Sequence, residues 1–88
     1  MASSLARLGD TSSHGGTIIS GATRTFINGK PAARKGDLHS CPIDGHGVTP
    51  ITTGSASVMI EGQPAARVGD VTGCGAVITS GSPDTFTG

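Results

Sequence analysis

Two stretches of this chain are near-copies of each other. Residues 27–41 read INGKPAARKGDLHSC and residues 60–74 read IEGQPAARVGDVTGC, in register at a constant offset of 33 residues with no gap. A more degenerate third copy precedes them. Arg7-Leu8-Gly9-Asp10 repeats the Arg-x-Gly-Asp of residues 34–37 and 67–70, and His14 stands four residues after its aspartate, where the others carry Cys41 and Cys74. Downstream, residues 14–21 run parallel to residues 74–81, while the middle copy reaches its equivalent Gly54 later because residues 42–48 hold an insertion. Such a period marks units that cannot bury an apolar face alone and must pack on one another. Copies at about 5–26, 27–59 and 60–88 cover the chain and predict one domain with a pseudo-threefold architecture.

Gly or Pro interrupts the chain every six to eight residues or so, which leaves no run able to sustain a ten-residue helix. The short runs between them are rich in Val, Ile, Thr and Phe, and Asn28-Gly29 and Glu61-Gly62 sit where turns are needed. The expectation is an all-β fold, a small set of short hairpins around a narrow axis. Phe26, Met59 and Phe86 recur at one repeat position and read as core. The many Ser and Thr residues read as decoration of solvated faces. Arg7, Arg34 and Arg67 are expected to pair with Asp10, Asp37 and Asp70 and fix the turns, and Pro31 and Pro64, lacking an amide donor, suit edge or turn positions.

Only 34% of the 88 residues are apolar, and many of those are Ala. A domain of this size covers roughly 60–65% of its unfolded surface, so its apolar burial barely offsets conformational entropy. A staple beyond the core is expected. Zero net charge and 2% aromatic content argue against nucleic-acid binding. No apolar run approaches the ~18 residues of a membrane span, and the N-terminal residues lack the apolar stretch of a secretory signal. Synthesis in the cytoplasm follows, where two cysteines favour metal over a disulfide.

His14, Cys41 and Cys74 occupy one equivalent position in three copies, so a threefold axis would make them converge. Zinc takes four tetrahedral ligands from Cys, His and carboxylate, and a mixed sulfur and nitrogen set favours it over copper or nickel. The fourth ligand must break the symmetry. His39, two residues before Cys41, and His46, in the insertion, both qualify. One structural zinc per chain would supply the missing staple. A catalytic zinc would instead keep an open position and a nearby base, for which Asp44 is the one candidate. A small zinc-dependent hydrolase is therefore a rival reading, although so short a chain leaves little room for a substrate pocket.

Pro31-Ala32-Ala33-Arg34 and Pro64-Ala65-Ala66-Arg67, each followed by x-Gly-Asp, resemble the repeats of the PAAR-domain proteins, as do Gly9-Asp10, His14-Gly15-Gly16 and Cys74-Gly75. The resemblance spans essentially the whole chain. It implies a small cone of short strands with zinc held near the point by His and Cys. It also implies a non-enzymatic role: capping and sharpening the trimeric VgrG spike of a type VI secretion system, one chain per trimer, to aid envelope piercing. Effector or adaptor proteins are possible further partners, joined non-covalently because no effector extension accompanies the domain; neither nucleic acid nor stable membrane anchoring is implied. Delivery with the spike to the exterior or to a target cell follows. The tip of a phage-like contractile tail is the alternative with the same physics.

Overall fold

Frequent turns cut the chain into pieces too short for anything but two- or three-residue strands. In the computed structural model, which describes residues 3–43 and 45–87, these are β1 (Ser3–Ser4), β2 (Thr17–Ile18), β3 (Phe26–Ile27), β4 (Lys30–Pro31), β5 (Leu38–Ser40), β6 (Val48–Pro50), β7 (Met59–Ile60), β8 (Gln63–Pro64) and β9 (Phe86–Thr87). Helix is absent among the described residues. Every strand pair is antiparallel. The hairpins β3–β4 and β7–β8 turn on Asn28-Gly29 and Glu61-Gly62, with φ of 54 and 80° and of 50 and 85°. Those are the paired positive values of a type I′ turn, whose twist matches that of the flanking strands. Glu61 is an unusual residue for such a φ. Its carboxylate compensates by accepting hydrogen bonds from the amide of Arg24 (2.9 Å) and the hydroxyl of Thr25 (3.0 Å).

The third hairpin is assembled from the two ends of the chain. β1 pairs with β9, Ser3 opposite Thr87 and Ser4 opposite Phe86, just as Pro31 faces Phe26 and Pro64 faces Met59. Ser4-Leu5-Ala6-Arg7 thus stands where the other copies have Pro-Ala-Ala-Arg. The copies are locked by bonds that always run in the same rotational sense. Ala6 donates its amide to the carbonyl of Ala66 (2.9 Å), Ala66 to Ala33 (3.0 Å) and Ala33 back to Ala6 (3.0 Å), a closed triangle about the axis. The fold is therefore all-β and pseudo-threefold, as the repeats predict.

Apolar residues stack on this axis in two layers. Ala6, Ala33 and Ala66 pack with Ile18, Ile51 and Ile78. Beside them, Leu5, Ala32 and Ala65 pack with Ala22, Ile27 and Ile60. Alanine holds the Ala6, Ala33 and Ala66 positions, where the three backbones hydrogen-bond directly to one another and leave little depth for a side chain. Phe26, Met59 and Phe86 are not core: they are 59, 62 and 53% exposed. Alternation along a strand explains it, since Ile27 and Ile60 take the inward position and send their neighbours outward.

The serines and threonines also depart from expectation. Ser12, Ser55, Thr72 and Ser82 are buried, and others complete the Arg-x-Gly-Asp turns. In each turn the aspartate accepts from the arginine amide at 2.7 Å and from its guanidinium at 3.0–3.1 Å. A hydroxyl from another copy adds to it: Ser80 on Asp10 (3.0 Å), Ser20 on Asp37 (3.0 Å) and Thr53 on Asp70 (2.8 Å). The intervening Gly9, Gly36 and Gly69 have φ of 91, 95 and 97°, which other residues rarely adopt. The bidentate hydrogen bonds to the aspartates, opposed by burial, raise the pKa of all three arginines. These pairs are partly buried and multiply hydrogen-bonded, so they fix geometry more firmly than exposed ion pairs would.

Candidate metal centre

Beyond the isoleucine layer, each copy supplies one buried polar residue at the same position. Ser12 bridges to Ile78, His39 pairs with Ile18, and Thr72 bridges to Ile51. Two residues further along come His14, Cys41 and Cys74, which the same symmetry carries together at the end of the stack. The glycines that follow His14 and Cys74 close tight turns: Gly15 donates its amide to Ser12 and Gly75 to Thr72, both at 3.0 Å. In the middle copy the insertion takes over. Cys41 donates its amide to Gly47 (2.9 Å) and His46 donates to Ile43 (3.0 Å), so the insertion folds back and returns His46 to Cys41.

Four ligand atoms result, those of His14, Cys41, His46 and Cys74, all within 4.8 Å of one another. Cys41 Sγ lies 3.5 Å from His14 Nδ1 and 3.4 Å from His46 Nδ1, and Cys74 Sγ lies 3.8 Å from His14 Nδ1. Bonds of about 2.3 Å to sulfur and about 2.05 Å to nitrogen, set at the tetrahedral angle, separate neighbouring S and N atoms by about 3.6 Å. The three observed edges match that figure, so the donors fit a four-coordinate ion. The His14 and His46 rings stand 5.1 Å apart and tilted by 50°. The group can hold a metal ion.

The two thiols differ. A hydrogen bond from Thr72, whose hydroxyl is 3.3 Å from the sulfur, is the main influence lowering Cys74 to about 5; the Ala76 amide adds to it and burial opposes it. The lowered value favours the thiolate of Cys74, the form that binds metal. Burial pushes Cys41 up instead, so an incoming cation must displace its proton.

His39 is not in this group. Strand β5 ends at Ser40, and Cys41 leaves the strand line, so the two residues do not share a ligating face. The imidazole is fully buried in the polar layer beneath, with Nε2 2.7 Å from Ser12 Oγ. It packs so closely on Gly16 that a Cβ there would fall 2.6 Å from Nε2 and 2.1 Å from the Ser40 carbonyl. The signal that separates His39 from His46 is in the repeat register: His39 aligns with Ser12 and Thr72, not with the ligand position. Asp44 lies outside the described residues. Pro31 and Pro64 sit on strands β4 and β8, and no helix among the described residues is long and apolar enough to cross a membrane.

A family model described as PAAR motif matches residues 8–80, a span containing all four clustered side chains. No curated protein is matched by the chain.

Proposed function

The chain belongs to the PAAR-motif family, and from that premise we propose that it caps the blunt end of the trimeric VgrG spike of a type VI secretion system, one chain per trimer. The observation that carries this reading is the ring of three copies closed by the Ala6, Ala33 and Ala66 hydrogen bonds within one polypeptide. A homotrimer ends in three identical surfaces about one axis. A single chain can meet all three alike only if it carries the same symmetry.

His14, Cys41, His46 and Cys74 hold zinc in this reading. Zinc supplies no redox chemistry and ties four segments together where the layers have run out. Four protein ligands complete the shell and leave no position for a reacting water, which supports a structural rather than a hydrolytic role. Synthesis in the cytoplasm and release with the spike follow from the same assignment. The test is stoichiometry. Purified chain mixed with a purified VgrG trimer should give a complex of one chain per trimer by native mass spectrometry, and three chains per trimer would refute the cap.

A further inference from the structure

Among the described residues, seven large apolar side chains are exposed: Ile19, Phe26, Leu38, Ile43, Val48, Met59 and Phe86. Four of them do not recur. Ile19 aligns with Thr52 and Thr79, Leu38 with Thr11 and Val71, and Ile43 and Val48 belong to the insertion. Phe26, Met59 and Phe86 are different. They occupy one position in all three copies, on β3, β7 and β9, and all are more than half exposed. Scattered single hydrophobes on a surface need no explanation, but a symmetric set does. Nothing in the packing of the free chain requires it, because Ile27 and Ile60 already fill the inward positions.

We propose that Phe26, Met59 and Phe86 are the three anchors by which the chain grips a homotrimeric protein presenting three equivalent apolar sockets. The inference rests on the spike-cap reading and assigns it a face. Three observations point to this occupant. The anchors follow the same threefold order as the ring, so a trimer can engage each through one identical subunit surface. Pro31 and Pro64, opposite Phe26 and Met59, have no amide to donate to an added strand, so recognition there is by side chain, not by sheet extension. Finally, the anchors adjoin Ile27 and Ile60 of the Leu5, Ala32 and Ala65 cluster, whereas the metal-competent group follows Ser12, His39 and Thr72, which pair with the Ile18, Ile51 and Ile78 cluster. The anchors and the metal-competent group are thus built on different clusters.

The experiment titrates purified VgrG trimer with the zinc-loaded chain and with Phe26→Ser, Met59→Ser, Phe86→Ser and the triple variant. Each single change should weaken binding about tenfold and the triple change should abolish it, with metal content and melting temperature of the free chain unmoved. A triple variant that binds like the parent overturns this face while the one-to-trimer complex, still formed, upholds the cap. A parent chain that forms no complex overturns the cap and the face together. A parent that self-associates while the triple variant is monomeric assigns the face to a second copy and also overturns the proposal. Should the triple variant lose its metal, Met59→Lys alone gives the same readout at the most exposed of the three positions.

Discussion

Replacing Gly54 by alanine tests how closely the copies approach. Its φ is not positive, so the usual expectation is a gain of about 0.4–1 kcal/mol from the reduced freedom of the unfolded chain. The contacts argue for the opposite sign. A Cβ at Gly54 would stand 2.8 Å from Pro64 Cβ, 3.0 Å from the Ala65 carbonyl and 3.2 Å from the Pro64 carbonyl. Two of these are backbone atoms, and they are held: Ser55 donates its amide to the Ala65 carbonyl and Lys35 donates its amide to the Pro64 carbonyl, both at 2.8 Å. Relief requires the strands to part by a few tenths of an ångström, and such overpacking costs about 1–3 kcal/mol. Set against the entropic gain, the net loss is about 1–2 kcal/mol. At about 2.1 cal/mol/K per residue an 88-residue chain loses roughly 5 °C per kcal/mol, so the melting temperature should fall by about 5–10 °C. Calorimetry at saturating zinc measures this. Gly21→Ala and Gly81→Ala should behave alike, since their nearest contacts are 2.9 and 2.8 Å. A melting temperature that holds or rises in all three variants would refute the close approach.

Elemental analysis should find about one zinc per chain, and prolonged chelation should unfold the protein; a fully stable metal-free chain would sink the staple. His46→Ala should lower zinc content, whereas His39→Ala should keep it yet destabilise the chain by about 2–4 kcal/mol, through lost packing and the lost buried hydrogen bond to Ser12. The reverse pattern would exchange the roles of the two histidines. Hydrogen bonds, led by that from the Arg24 amide, hold Glu61 below its usual value. Its contribution to stability is therefore present above the unfolded-state pKa and is lost as pH falls through the lower folded value. Glu61→Gln should flatten that acid limb of a stability–pH profile, and an unchanged limb would contradict the assignment.

Much of this architecture is legible in the letters because the repeats carry turn chemistry with them. Arg-x-Gly-Asp encodes a turn by its own hydrogen bonds, and three copies in register place His14, Cys41 and Cys74 together before any coordinate is known. The closing strand was also within reach. Aligning Arg7 with Arg34 and Arg67 sets Ser4-Leu5-Ala6 against Pro-Ala-Ala, but without the proline the motif is hidden, and only the pairing of β1 with β9 reveals it. Burial was harder to read. In a two-residue strand, which of Phe26 and Ile27 turns inward depends on where the neighbouring copy lies, a tertiary fact that overrides hydrophobicity. Thr72 likewise looks like surface decoration until its register partner Ile51 and the Cys74 sulfur are seen.

The alanine triangle has a mechanical meaning as well. Thrust along the axis of a tapering body is converted into outward spreading of its sides, as in a wooden cask, and only something that encircles the body resists it. The bonds from Ala6 to Ala66, from Ala66 to Ala33 and from Ala33 to Ala6 form such a hoop. Because they close on themselves, the sides cannot spread without stretching all three bonds together.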